Sequence, residues 1–305
     1  MKLLLTGAFK YAQQQIEYIK SIGYDVIFVQ DERVPIDFDV SDIDAVVCNG
    51  LFLYTPIEKF TNLKFIQLTS AGLDRVPLDY INSHNIKLFS ARGVYSAPMA
   101  EFALCGVLQL FKQSRFFCNN QKEHRWEKHR GLLELTDKNV LIVGAGSIGS
   151  EVAKRFKAFD SDVIGIDLFP TENSNFNKIY PLDKLESRLK TADIVILTLP
   201  LTDDNEGFFD KSKFNLMKES AVFVNIARGK LVNENDLIDA LQSKKINGAV
   251  LDVFEKEPLD ENNPLWNFEN VILTPHNSFV GDMNNKRMFK LITNNLENFN
   301  EQKRN

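Results

Sequence analysis

The chain has 305 residues and a mass of 34.9 kDa, about twice the roughly 150 residues of a typical domain, so two domains on one chain are expected. Its 44% hydrophobic and 25% charged residues are those of a globular protein, not of a disordered one. The 36 Lys and Arg against 41 Asp and Glu leave a net charge of -5, which excludes the basic footprint of a nucleic-acid or anionic-membrane binder and obliges any small anionic substrate to find a local cation.

The uncharged run over residues 102–111 is half of the about 20 residues that a membrane helix needs. Residues 1–7 are too short for the apolar core of a secretion signal. Cys48, Cys105 and Cys118 are scattered without a CxxC pair, and only four histidines are present, His84, His124, His129 and His276. The expectation is a cytoplasmic protein with reduced thiols and no metal site.

In chain order, residues 3–6 read as a strand. Ala12, Ile16 and Ile19 then recur at helical spacing until Gly23, and residues 25–29 read as the next strand. Further strands are expected at 45–48, 64–68 and 87–89, which makes the first part a parallel α/β layer. No Gly-rich fingerprint follows its first strand, so the dinucleotide is expected elsewhere. Ser96 and Pro98 open a helix whose Met99, Phe102, Ala103, Leu108 and Phe111 are apolar nearly all round, as in a segment buried on several sides. Residues 116–135 turn irregular and charged around Phe117 and Trp126, and are read as an arm or connection. Six apolar runs follow, at 140–143, 163–166, 194–199, 221–226, 249–253 and 271–273, as a parallel sheet covered on both faces requires. Met288, Ile292, Leu296 and Phe299 share one face of a final helix.

Gly144-Ala145-Gly146-Ser147-Ile148-Gly149 directly follows the strand at 140–143 and precedes a helix bearing Ile148, Val152 and Phe156 on one face. Glycines at this spacing allow a tight turn, backbone approach to a pyrophosphate and close packing of helix on strand, and the helix N-terminus offers unbonded N–H groups. Asp167 ends the next strand 23 residues after Gly144, near the place of the acid that receives the ribose hydroxyls. With Leu168 rather than Arg beside it, Asp167 favours NAD over NADP.

Arg228, Glu257 and His276 each lie just beyond a strand run, and in an open parallel sheet ligands bind outside the carboxyl ends of the strands. Arg suits a carboxylate, His moves a proton at neutral pH, and an acid beside the His orients its ring. Each also admits a plainer reading as a surface charge, a loop acid or a turn residue.

Asn225-Ile226-Ala227-Arg228-Gly229, then residues 251–258 (LDVFEKEP), then Thr274-Pro275-His276, together with Leu199-Pro200-Leu201-Thr202 and the Gly-rich turn, resemble the signature series of the D-isomer-specific 2-hydroxyacid dehydrogenase family. The resemblance implies two doubly wound parallel-sheet α/β domains: a flavodoxin-like substrate domain (1–97 with 281–305) and a Rossmann NAD-binding domain (98–280), closing over the substrate. It implies an oxidoreductase that moves hydride between NAD(H) and a small D-2-hydroxyacid/2-oxo acid pair, and a homodimer. By that pattern Arg228 binds the substrate carboxylate, His276 is the proton donor and Glu257 pairs with it. Gly144, Gly146, Ser147, Ile148, Gly149, Asp167, Pro200, Ala227 and Asp252 hold NAD, with Asp252 at the nicotinamide end. Ser70, Ala71, Gly72 and Tyr95 face the substrate. Asn49-Gly50-Leu51 stands where phosphoglycerate dehydrogenases of the family usually present an Arg, which argues for a small or apolar 2-oxo acid over a phosphorylated one. A phosphoglycerate or glyoxylate/hydroxypyruvate substrate, and a corepressor-like NAD-responsive binding protein, stay open as alternatives.

Overall fold

Strand β1 (Lys2–Thr6) sends Leu3 and Leu5 into one hydrophobic cluster and Leu4 into another, as the period of two along an extended chain dictates. In the computed structural model, which describes residues 1–302, β1 is followed by α1 (Gln13–Ser21), β2 (Asp25–Val29), β3 (Ala45–Cys48), β4 (Phe65–Leu68), α2 (Leu78–Ser83) and β5 (Lys87–Phe89). The five strands form one wholly parallel sheet in the order β2-β1-β3-β4-β5. Ala45, Val47 and Phe65 join Leu3 and Leu5 on one face, while Val46, Cys48, Ile66 and Leu68 join Leu4 on the other.

The chain divides into two compact units, Met1–Tyr95 with the segment from Gly281 onward, and Ser96–Val280. The second unit begins with α3 (Ser96–Phe111) and α4 (Ser114–Lys122). It continues through β6 (Asn139–Val143), α5 (Ser147–Lys157), β7 (Asp162–Asp167), β8 (Lys178–Pro181), α6 (Leu185–Leu189), β9 (Ile194–Leu197) and α7 (Lys211–Leu216). The last elements of this unit are β10 (Val222–Asn225), α8 (Glu234–Gln242), β11 (Gly248–Leu251) and β12 (Val271–Leu273). Its seven strands are all parallel, in the order β12-β11-β10-β9-β6-β7-β8. The strand order reverses between β6 and β9, the kind of switch point where α/β sheets open a crevice for ligands. Both sheets are thus the parallel α/β kind expected, and β3, β9, β10 and β11 are buried along their whole length.

Two elements depart from the sequence reading. Residues 116–135 are not irregular throughout, since α4 covers the first part up to Lys122. β8 was not foreseen: its Lys178 and Pro181 are exposed, so this edge strand lacks the apolar run that marked the others. Helix α9 (Asn284–Gln302) belongs to the first unit. It lays Met288, Ile292, Leu296 and Phe299 onto the cluster of Leu3, Leu5 and Phe65, the face its i, i+4 spacing defines. Among the described residues, no helix is long and apolar enough to cross a membrane.

Candidate active site

At the carboxyl end of β6 the backbone turns sharply, with Gly144 at φ +104°, a conformation that side chains disfavour. A methyl on Gly149 would stand 2.0 Å from the Gly144 carbonyl oxygen, so α5 leaves the turn at a distance that only glycine permits. Thr198 fixes the turn from the end of β9, its hydroxyl donating to the Gly144 carbonyl at 2.6 Å. The sequence reading passed over Thr198, which falls inside the run 194–199 and lies beyond the strand only because β9 ends at Leu197. Asp167 accepts from the Ala145 N–H at 2.8 Å and from the Phe169 N–H at 3.0 Å. A carboxylate oxygen has two acceptor sites, so Asp167 keeps capacity for ribose hydroxyls while bracing the glycine turn.

This turn fits a dinucleotide. Gly146 caps α5, and a Cβ placed on it would meet no atom within 4 Å, so the helix N-terminus opens onto free space where a pyrophosphate can approach the backbone. Ser147 and Ile148 are partly exposed in the first turn of α5, Pro200 is exposed, and Ala227 is buried with its N–H donating to Asn225 Oδ1 at 3.1 Å.

Beyond β10, the buried Asn225 shapes the turn that presents Arg228: its Nδ2 donates to the Arg228 carbonyl at 3.0 Å. The Arg228 guanidinium donates to the Ala227 carbonyl at 2.7 Å and, among the described residues, pairs with no carboxylate. Directly after it, a methyl on Gly229 would lie 1.9 Å from the Phe254 carbonyl. The loops after β10 and β11 therefore press together, and the Phe254 N–H in turn donates to Glu257 Oε1 at 3.1 Å.

Glu257 Oε2 lies 2.8 Å from His276 Nδ1. A carboxylate can only accept, so Nδ1 carries the proton of this bond and Nε2 is left for chemistry. The side chains of both residues are more than a third exposed, which keeps the pair reachable. His276 is held at φ +51°, and its N–H donates to the Asp252 carbonyl at 2.7 Å; Phe279 meets the ring edge-on at 6.1 Å.

Asp252, expected at the nicotinamide end, is fully buried, and its carboxylate accepts from Thr274 Oγ1 at 2.7 Å, the Asn277 N–H at 2.8 Å and the Ser278 N–H at 2.9 Å. Three donors and no solvent access make it the anchor of the loop that carries His276.

In the first unit, the Ser70 hydroxyl donates to the Gly72 carbonyl at 3.0 Å, and Ala71 is exposed. The Thr69 N–H donates to the Cys48 carbonyl at 2.8 Å, and the Tyr95 hydroxyl donates to the Thr69 carbonyl. Tyr95 thus ties down the stretch leading into Ser70-Ala71-Gly72, and burial raises its phenol above the ordinary tyrosine range.

The second unit therefore gathers the Gly-rich turn, Asp167, Pro200, Arg228, Glu257 and His276 beyond the carboxyl ends of one parallel sheet. Residues 104–278 match the family described as D-isomer specific 2-hydroxyacid dehydrogenase, NAD binding domain. A D-2-hydroxyacid dehydrogenase (NAD(+)) of Clostridioides difficile is 30% identical over 277 residues, 86% of this chain and 79% of its own. A D-3-phosphoglycerate dehydrogenase of Methanocaldococcus jannaschii is 34% identical over 90% of this chain, which spans about half (53%) of that longer relative. Among solved structures, a D-isomer specific 2-hydroxyacid dehydrogenase of Xanthobacter autotrophicus Py2 in complex with NADPH and MES aligns with a TM-score of 0.81 at 26% identity. That alignment covers 99% of this chain and 95% of the other.

Proposed function

Because the chain belongs to the D-isomer-specific 2-hydroxyacid dehydrogenase family, we propose that His276, Glu257 and Arg228 are the groups with which it interconverts a small 2-oxo acid and its D-2-hydroxyacid. The observation that carries this reading is the 2.8 Å contact of His276 Nδ1 with Glu257 beyond the same sheet edge as the glycine turn. The chain is an NAD-dependent oxidoreductase, and NADH, when bound, supplies the hydride. Gly144, Gly146, Ser147, Ile148 and Gly149 would receive its pyrophosphate and Asp167 its ribose, and Pro200 and Ala227 would also hold it.

Negative charge that builds on the carbonyl oxygen must be neutralised as the bond order falls. His276 does so by giving up the proton on Nε2, while Glu257 steadies the imidazolium through Nδ1. Arg228 clasps the substrate carboxylate with a planar fork of donors. Following NADH oxidation by absorbance over a panel of 2-oxo acids tests the assignment. His276→Ala should lower turnover by about 10² to 10⁴ with NADH affinity kept. Loss of NADH binding instead would remove His276 from the proton-donor role, and NADH binding without turnover of any acid would favour a corepressor-like protein.

Two further readings belong with this one. Cys105 and Cys118 are exposed and all three thiols are free, which supports the reducing environment of the cytoplasm. Trp126 is 97% exposed, with Phe117, Leu132 and Leu133 exposed nearby in sequence, and apolar surface of this kind supports an arm that meets a second copy. Light scattering on a sizing column should give twice the chain mass, and Trp126→Ser should shift it toward the monomer; a monomeric parent protein would dismiss the arm.

A further inference from the structure

We propose that Glu234, the first residue of α8, is a positioning residue for proton transfer: its carboxylate holds the exposed stretch that carries Glu257, and thereby keeps Glu257 against His276. This rests on the reading of His276 and Glu257 given above and adds a third residue to that pair.

Helix α8 is capped by Asn233, whose Oδ1 accepts from the Asp236 N–H at 3.1 Å. The cap sets Glu234 in the first turn, where unbonded N–H groups favour a carboxylate. Both of its oxygens reach out to the loop beyond β11. Oε2 accepts from the Glu255 N–H at 3.1 Å, and Oε1 accepts from Asn263 Nδ2 at 2.7 Å. Asn263 is itself fixed, since its Oδ1 accepts from the Leu265 N–H at 3.0 Å and caps the short 3-10 helix Pro264–Asn267. One carboxylate thus spans the two ends of the stretch 255–263, and Glu257 lies between them in sequence.

Little else holds Glu257. Val253 and Phe254 are buried, but Glu255, Lys256, Glu257 and Pro258 are all exposed, so no apolar packing fixes these four. Among the described residues, the bond from the Glu255 N–H to Glu234 is the one hydrogen bond that ties the backbone of residues 253–259 to another element. The Phe254 N–H donates within the stretch, to Glu257 Oε1. A small cavity lined in part by Gly229, Glu234, Phe254 and Leu265 adjoins the clasp, so the packing there is incomplete and leaves the two bonds of Glu234 to set the position.

The consequence falls on His276. Asp252 anchors the His276 side of the pair and Glu234 the Glu257 side, and the 2.8 Å contact of Glu257 with His276 Nδ1 needs both. With the stretch released, Nδ1 loses its acceptor and Nε2 its fixed aim. Transfer to a carbonyl oxygen is sensitive to misplacements of about 1 Å.

The test is the turnover of 2-oxo acids by Glu234→Ala and Glu234→Gln, each made alone and together with Glu257→Gln. Glu234→Ala should lower kcat by about 10- to 100-fold with NADH affinity kept. Glu234→Gln should lower it less, because one acceptor for the Glu255 N–H is retained. In the Glu257→Gln background, Glu234→Ala should cost less than about twofold, since the residue it acts through is already altered. A kcat equal to that of the parent, or a loss that multiplies in full with that of Glu257→Gln, overturns the proposal. If no acid turns over, or if Glu257→Gln leaves kcat unchanged, the proton-transfer reading fails by itself, and the state of the imidazole still decides on the clasp. Nitrogen NMR with isotope-labelled histidine, at a pH where the ring is neutral, reads it, the His276 signal being identified by its loss in His276→Ala. The parent should carry the proton on Nδ1 and Glu234→Ala should shift it toward Nε2, whereas a distribution that the substitution leaves unchanged refutes the clasp. Should Glu234→Ala fail to fold, as urea unfolding would reveal, Glu234→Gln carries both measurements.

Discussion

A carboxylate with no solvent access and three donors around it is costly to alter, because each donor left without an acceptor loses its hydration and gains nothing in return. Asp252 is such a group, and the donors it holds, Thr274, Asn277 and Ser278, bracket His276 on both sides. Replacing it with Asn turns one acceptor into an N–H2 that faces N–H or O–H donors. Asp252→Asn is expected to cost about 1–3 kcal/mol in urea unfolding and to lower kcat through a displaced His276, while NADH affinity stays near that of the parent. A selective loss of NADH affinity with unchanged stability would return Asp252 to the cofactor. These partners could not be read from sequence, because they lie 22 to 26 positions later and only the parallel pairing of β11 with β12 brings them within reach. The Glu257–His276 contact was more legible, since both residues lie within a few positions of strands whose apolar runs were plain.

Helix α3 is apolar over most of its surface because it is packed on several sides, against α5, β10, β11 and β12, and Gly106 sets how closely it can come. A methyl on Gly106 would stand 2.4 Å from Cγ1 of Val250 on β11, a distance that packed atoms do not tolerate. Gly106→Ala is therefore expected to destabilise by about 1–3 kcal/mol despite the better helix propensity of Ala. Val250→Ala removes the obstructing methyls, so the double variant should lose less than the sum of the two single losses, by about 1 kcal/mol or more in a urea cycle. Strict additivity would mean that the helix shifts away from the strand instead. At this scale the sequence was informative where elements are buried, as for α3, β9, β10 and β11, whose composition is set by contact with the core. It was poor at the edges. β8 pairs on one side only, with β7, so its exposed Lys178 and Pro181 satisfy a strand without an apolar pattern. Only Asn120 of α4 is buried, so its polar surface reads like that of a loop.

Over the whole chain, groups whose ionisation is shifted by folding set the pH range of stability. In both units, carboxyls are held below the ordinary 3.8: Asp39 by the Ser41 N–H and hydroxyl, and Asp210 by the Ser212 hydroxyl and Lys213. Asp193 is likewise lowered; its partial burial works the other way and is outweighed by Lys218 and the Asn139 N–H. A lowered folded value means that the unfolded chain takes up protons first, so this stabilisation is present above about pH 4 and disappears as pH falls through the folded values. At the other end, burial pushes the Tyr11 and Tyr24 phenols well above the ordinary 10. The unfolded chain then gives up these protons first, and stability declines as pH rises beyond about 10. The two tyrosines differ in one respect that makes the alkaline limb testable. The Tyr24 hydroxyl donates to the Leu296 carbonyl at 2.8 Å, whereas the Tyr11 hydroxyl is buried without a partner among the described residues, its ring packed edge-on to Phe9 at 4.6 Å. Tyr11→Phe keeps the ring contact and removes an unsatisfied group, so the urea midpoint at pH 7 should hold or rise, and its decline between pH 9 and pH 11 should flatten. Tyr24→Phe removes a made bond and should lower the midpoint at pH 7 by the equivalent of about 1 kcal/mol. A drop of that size in Tyr11→Phe would show that its hydroxyl is satisfied in solution.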